Sequence, residues 1–337
     1  DIVKALFADH KINQSLNLGA VNSINWARIL AQITYYFQAF FALTKSSSYQ
    51  SFQKIKFVVP TGNFGDILAG YFAKRMGLPS EKLVVATNEN DILDRFWKNG
   101  KYEKNVSCST EAHGINIDGL QLNEDKVKET LSPAMDILVS SNFERLLWFL
   151  AYEYAASANM DDTWNKKQAG QEVETWLKKL KSHGGFQVPS YILNSARNDF
   201  ESERISDSLT LQTIKSFYSP VVTDAVEHAS IKSYILDPHS AIGVAASLLS
   251  IQRDPSIETH HIALATAHPA KFARAVEMAL QCEKDFDFNS ILPKEFVALA
   301  DKEKKVRVVP ENVGWEGVRQ IIQEEIDEEF RAMNNSS

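Results

Sequence analysis

The sequence predicts an α/β protein built on a parallel sheet flanked by helices, and three observations carry that expectation. Short apolar strands alternate with helical stretches over the first hundred residues, as where Ile55-Lys56-Phe57-Val58-Val59 runs into a helical pattern from Gly65 to Met76. The strand cores Phe57-Val58-Val59 and Leu83-Val84-Val85 are unbroken rather than alternating, the mark of strands covered on both faces. The same strand-helix rhythm returns after Tyr234.

The elements follow in order. Asp1-Ile2-Val3-Lys4 opens the chain without Met and already in helical register, with Ile2, Ala5, Leu6 and Phe7 on one side, which points to the C-terminal piece of a longer polypeptide. Asn17-Leu18-Gly19-Ala20-Val21 reads as a short strand, and Trp26 begins a long amphipathic helix whose run ITYYFQAFFALT forms a buried face. After the polar loop Thr44 to Tyr49 come the strand at Ile55–Val59, the helix Gly65–Met76, the strand Lys82–Thr87 and a helix from Asp91 to Trp97. Ser141 to Lys181 is mostly helical, closed by His183-Gly184-Gly185 with a C-terminal glycine. Tyr234-Ile235-Leu236 reads as a strand leading to Asp237-Pro238-His239 and a helix at Ala241–Ser250, and His261–Ala265 as a strand leading to Thr266-Ala267-His268-Pro269 and a helix at Ala270–Leu280. Lys305–Val309 is the last expected strand and Trp315–Phe330 the closing helix, with Ile322, Ile326 and Phe330 inward and the acidic residues Glu324, Glu325, Asp327, Glu328 and Glu329 solvated.

Composition bounds the chemistry. The chain has 337 residues, a formal net charge of −7 and only Cys108 and Cys282, which argues against a nucleic-acid partner and against a disulfide scaffold. No apolar run is long enough to span a bilayer and no secretory signal is evident, so the expected compartment is the cytoplasm. There is no HExxH, no Cys/His ligand spacing and no GxSxG, and adjacent His260 and His261 on a strand face opposite ways, so no metal site is expected.

The loops after the strands are where a parallel sheet collects ligands. In Pro60-Thr61-Gly62-Asn63-Phe64-Gly65-Asp66 two glycines stand at the mouth of a helix, where unpaired amides and the helix dipole favour an anion. Glycines there allow close approach and positive φ, Asn63 offers a side-chain donor and Thr61 a hydroxyl; a plain strand-to-helix turn fits the same spacing. Thr266 places a hydroxyl just past a strand, suited to a ring nitrogen or to capping a helix, and His268 and the Asp237-His239-Ser240 turn carry the same ambiguity. Asn22, Ser23, Asn25 and Arg28 put amides, a hydroxyl and a guanidinium in one short span, with Arg28 able to hold phosphate or carboxylate or to pair on the helix surface.

Five blocks, NSINWARILAQ, VVPTGNFGDILAGYFAKRMGLP, TLSPAMDI with SSNFER, SYILDPHSAIG and ATAHPAKF, occur in this order over nearly the whole chain and resemble threonine synthase, in its fungal and bacterial branch. The resemblance implies the tryptophan-synthase β-like fold type II of pyridoxal 5'-phosphate enzymes and conversion of O-phospho-L-homoserine and water to L-threonine and phosphate. It implies that Gly62, Asn63, Phe64 and Gly65 cradle the cofactor phosphate with Asp66 beside them, that Thr266 faces the pyridine nitrogen, and that Asn22, Ser23, Asn25 and Arg28 lie toward the substrate. A neutral hydroxyl at Thr266 would leave the ring nitrogen largely unprotonated, a moderate electron sink. The family's Schiff-base lysine, in a Phe-Lys-Asp segment, and its Ser-Gly-Asp-Thr-Gly loop do not occur in these residues; Lys74, Lys104 and Lys271 lie in no such motif, and Lys74 and Lys271 are expected to face solvent. The domain expectation is therefore residues 1–50 as the remaining part of a small domain and 51–337 as the large one, with a helical insertion near 141–200. The alternative is a non-catalytic relative that binds phosphorylated ligands.

Overall fold

The structure, a computed structural model, describes every residue except 1, 17, 18, 20, 21, 48, 52, 105–126, 159, 220–232, 257, 301, 305, 311, 312, 336 and 337. Along the chain run α1 (Ile2–Ala8), α2 (His10–Leu16), α3 (Trp26–Thr44), β1 (Lys54–Pro60), α4 (Gly65–Arg75), β2 (Leu83–Thr87), α5 (Ile92–Asn99) and β3 (Lys101–Glu103). Then follow α6 (Phe143–Ala158), α7 (Asp162–His183), β4 (Gly185–Gln187), α8 (Ser190–Asp199), β5 (Phe200–Arg204), α9 (Asp207–Tyr218) and α10 (Pro238–Arg253). The chain closes with β6 (Thr259–Ala263), α11 (Ala273–Leu280), α12 (Lys294–Ala300) and α13 (Trp315–Asn335).

Backbone contacts gather the chain into two compact units, Asp1–Asn22 with Pro293–Ser337, and Ser23–Leu292. In the first, α13 packs on α1, Leu6 and Ile12 are buried, and Arg319 Nη1 reaches Asp9 Oδ2 at 2.9 Å. Two expectations fail here. Residues 306–309 form no strand, and Val306 and Val308 are exposed; Phe330 is exposed as well, so the inward stripe of the closing helix stops short of it. The strand expected at Asn17–Val21 falls almost wholly outside the described residues, as does Cys108.

The second unit is organised by a four-stranded parallel sheet in the order β5-β2-β1-β6. Successive side chains of β1 and β2 alternate between two buried layers. Phe57, Val59, Leu83 and Val85 enter a core with α4 and α5, while Val58 and Val84 meet Ile242, Ala245 and Ala246 of α10. That double cover is why neither strand reads as amphipathic. At about 1.5–3 kcal/mol for each fully buried apolar side chain, these two strands hold the unit together.

β5 was not legible as a strand because its sequence FESER is charged. It is an edge strand, and its polar side chains have partners. Glu201 takes Lys56 Nζ at 3.4 Å and the Ser250 hydroxyl at 2.9 Å, and Ser202 donates to Asp94 at 2.8 Å. β6 closes the other edge; His260 Nε2 meets Gln53 and His261 Nε2 meets Ser250, on opposite sides as expected. Tyr234–Leu236 form no strand, so α10 is entered from a loop and not from the sheet. α3 buries Ile29 and Tyr36 but leaves Trp26, Leu30, Tyr35 and Phe41 exposed, so ITYYFQAFFALT is only partly a core face.

Helices α3 and α4 approach closely at one glycine, which the Tyr36 ring faces. A Cβ built on Gly70 would stand 2.6 Å from the Tyr36 ring, and Tyr36 is anchored by donating from its hydroxyl to the Asp66 carbonyl at 2.8 Å. Gly70→Ala therefore forces the helices apart and is expected to lower stability by about 1–3 kcal/mol, read as a lower urea midpoint at unchanged slope.

Candidate functional site

The carboxyl end of β1 turns into α4 through Thr61–Phe64, and a cleft lies over that turn. Ser23, Arg28, Gln32, Pro60, Thr61, Gly62, Asn63, Phe64, Gly65, Asp66 and Ile67 line it. The turn is held from behind. Ser140 Oγ donates to the Gly62 carbonyl at 2.8 Å, and Asn142 donates to the Asn63 carbonyl from its amide at 3.1 Å and from Nδ2 at 2.8 Å. Across a trans peptide the C=O and the next N–H point opposite ways. Fixing the carbonyls of Gly62 and Asn63 on one side therefore turns the amides of Asn63 and Phe64 to the other. Among the described residues nothing accepts from the amides of Gly62, Asn63, Phe64 or Gly65, while Thr61 N–H is taken by the Ala86 carbonyl at 2.7 Å. Four free donors at the start of an eleven-residue helix suit a phosphoryl group.

The glycines achieve this differently from the expectation. Neither has positive φ; Phe64 does, at +61°. Its side chain is buried against Trp97, Phe143 and Phe200, with ring centroids 5.9, 5.2 and 6.0 Å away, and that burial offsets a strain of about 1–2 kcal/mol. Gly62 is needed for space, because a Cβ there would stand 2.8 Å from the Ala134 carbonyl. The Thr61 hydroxyl is engaged internally, donating to the Val59 carbonyl at 2.6 Å, and is not a ligand donor. Asn63 Oδ1 accepts from the Ser141 hydroxyl at 3.1 Å, which leaves its NH₂ group available.

Among the described residues the cleft lining has one cation, Arg28, and one acid, Asp66. Arg28 is exposed at the rim and has no carboxylate partner among the described residues. Asp66 faces the cleft in part, yet its Oδ1 is buried and lacks a hydrogen-bond partner. Burial pushes its carboxyl up to about 6, and the nearby Tyr36 hydroxyl offsets only part of that. Asn25 is a helix cap, accepting from Ala27 N–H at 2.9 Å, and neither it nor Asn22 lines the cleft. Thr266 stands past the end of β6, the neighbour of β1, outside the cleft lining; its hydroxyl has no partner among the described residues, and His268, not Thr266, caps the short turn that follows. Among the described residues no lysine lines the cleft. Lys74 is tied to Asp199 Oδ1 at 2.6 Å rather than facing solvent, whereas Lys271 is exposed.

Comparison with known proteins fits this geometry. Residues 240–322 match the family model described as the C-terminal region of threonine synthase. Over 327 residues the chain is 50% identical to a threonine synthase of Saccharomyces cerevisiae, covering 97% of this chain and 57% of that protein. Over nearly its whole length the chain resembles threonine synthases. A crystal structure of threonine synthase from yeast aligns with TM-score 0.78 at 48% identity, over 97% of this chain and 57% of that one. A PLP-bound threonine synthase from Brucella melitensis aligns with TM-score 0.69 at 36% identity, over 96% and 56%. The fold is thus fold type II of the pyridoxal-phosphate enzymes, and the chain spans little more than half the length of the relatives it matches.

The blocks that mark the family, far apart in sequence, meet around the glycine turn. Asn142 Nδ2 donates to the Ser23 carbonyl at 2.9 Å as well as to Asn63, and Arg145 donates to the Ile24 carbonyl at 2.9 Å while its guanidinium lies 5.3 Å from the Trp26 ring centroid. Ser140, Ser141 and Asn142 stand in the block SSNFER and Gln32 in NSINWARILAQ, but their places behind and beside the turn escaped the sequence reading, because a polar run ahead of a helix is what any helix start can show.

Asp66 sets a pH dependence whose sign follows from its raised value. Below its ordinary 3.8 both folded and unfolded chains hold the proton; between there and about 6 only the folded chain does; above that the fold carries a buried carboxylate. Stability should fall by about 1–3 kcal/mol as pH rises from 4 to 7, with allowance for the side of the group that faces the cleft, and Asp66→Asn should flatten that slope in urea titrations at the two pH values.

Proposed function

We propose that the polypeptide carrying these residues is a threonine synthase that uses pyridoxal phosphate to convert O-phospho-L-homoserine and water to L-threonine and phosphate. The amides of Gly62, Asn63, Phe64 and Gly65 at the start of α4 carry the proposal, because they fit the cofactor's phosphate and have no acceptor among the described residues. When bound, the cofactor supplies an electron sink for charge released at the carbons beside the substrate amine. The residues of this chain orient it and its substrate. Thr266 offers a neutral hydroxyl to the ring nitrogen, which keeps that nitrogen from being held as a charged partner of a carboxylate. Arg28 and Ser23 face the cleft beside the cradle, where a guanidinium suits the substrate's phosphate or carboxylate.

The lysine that anchors the cofactor is assigned to a part of the polypeptide outside these 337 residues, with residues 1–50 completing a small domain and 51–337 forming the large one. The proposed compartment is the cytoplasm; among the described residues no helix is long and apolar enough to cross a membrane. That no lysine lines the cleft among the described residues gives a second reading, a non-catalytic relative that binds phosphorylated ligands.

Borohydride separates the two. The complete polypeptide should show a cofactor absorbance band that borohydride abolishes, and should release threonine and phosphate in equal amounts. Phosphate-ester binding with neither outcome favours the second reading. These 337 residues alone, with cofactor added, should show no turnover. Gly62→Ala in the complete polypeptide should weaken cofactor binding at least about tenfold by driving the Ala134 carbonyl into a new position.

A further inference from the structure

Asp237, His239 and Ser240 open α10 with exposures of 1%, 4% and 4%. Asp237 Oδ1 accepts the amides of His239 at 2.9 Å and Ser240 at 3.3 Å, which is all that capping a helix requires. The same carboxylate also takes two side chains, His239 Nδ1 at 3.1 Å on Oδ1 and the Ser240 hydroxyl on Oδ2. Burial favours the neutral acid, but the hydrogen bonds from His239 and Ser240 outweigh it and hold the Asp237 carboxyl below its usual range.

Both side chains have a second bond. His239 Nε2 accepts the Ala134 amide at 3.2 Å; a nitrogen that accepts an amide carries no proton, so the ring proton lies on Nδ1 and is given to Asp237. The Ser240 hydroxyl gives its proton to Asp237 and therefore accepts the Thr266 amide, at 3.1 Å. The Phe272 ring, with its centroid 4.5 Å from that of the imidazole, packs against His239.

One carboxylate thus has two arms. The His239 arm ends on the turn at Ala134, whose carbonyl occupies the space beside Gly62. The Ser240 arm ends on the backbone of Thr266. We propose that Asp237, His239 and Ser240 are positioning residues that fix the distance between the amide cradle at Gly62–Gly65 and the Thr266 hydroxyl, so that a rigid pyridoxal phosphate is held at both ends. The proposal rests on the reading of those two places as the cofactor's phosphate and ring contacts. A rigid ligand makes the spacing matter, since misplacement by about 1 Å can cost about a hundredfold in rate.

The test uses the complete polypeptide with Ser240→Ala, Ser240→Thr, His239→Leu and His239→Gln. Amide hydrogen exchange on the cofactor-free protein reads the arms directly. Ser240→Ala should speed exchange at Thr266 by about tenfold or more and spare Ala134, and His239→Leu should do the reverse; the Thr and Gln variants keep an acceptor and should restore protection. With pyridoxal phosphate bound, Ser240→Ala should shift the cofactor absorbance and lower kcat about tenfold at unchanged cofactor affinity. His239→Leu should weaken cofactor affinity about tenfold and leave kcat at saturating cofactor within about threefold. If Ser240→Ala and His239→Leu act alike on both readouts, or neither amide loses protection, the two-armed arrangement is wrong. A wild type that binds no pyridoxal phosphate overturns the reading of the site and this proposal together, and is recognised by that failure before any variant is compared.

Discussion

The site depends on two carbonyls being held from behind. Ser140 and Asn142 take the Gly62 and Asn63 oxygens, and peptide planarity does the rest by turning the following amides toward the cleft. Without that clamp the turn could satisfy its own donors and the anion site would close. The clamp in turn needs α6 to begin where it does, directly after Asn142, with Phe143 sunk among Phe64, Phe96, Trp97 and Tyr102. The aromatic core and the cradle are therefore one construction: the buried Phe64 ring, at positive φ, packs on Phe143, the residue directly after the Asn142 that holds the Asn63 carbonyl.

The sheet gives that construction its place. β1 and β6 are parallel neighbours, so the turns that follow them emerge at the same edge, one carrying the cradle and the other Thr266. α10 packs across β1, β2 and β6, and its buried first turn reaches both of these places through His239 and Ser240. Asp66 is the dissonant member, a carboxyl at the mouth of an anion site. Its burial favours the neutral form, in which it repels an incoming phosphate less than a free carboxylate would.

Much of the fold was legible because β1 and β2 are covered on both faces and their apolar runs are unbroken, and because α7 ends on Gly184 at φ +77° where the sequence placed its stop. What was lost has physical causes. β5 hides because an edge strand keeps charged side chains when neighbouring elements pair them, as Lys56 of β1 and Ser250 of α10 do for Glu201. Tyr234–Leu236 and Val306–Val308 carry strand-like composition but join no strand among the described residues, and β propensity alone does not make a strand. In the site, the glycine turn was visible from spacing, but the clamp was not. Asn142 acts on Ser23 and Asn63 across separations of 119 and 79 residues, and no local pattern encodes a contact of that range. The role of Gly62 was also misread: it is glycine for want of room beside Ala134, while the strained backbone fell to a phenylalanine that the core could hold.

A crystal structure of the complete polypeptide with pyridoxal phosphate tests the central claim most directly. The account predicts phosphoryl oxygens within about 2.7–3.2 Å of amides among Gly62, Asn63, Phe64 and Gly65, with Ser140 and Asn142 still on the carbonyls behind them. A cofactor phosphate seated elsewhere, or a turn whose amides have swung round to bond within the chain, would contradict it.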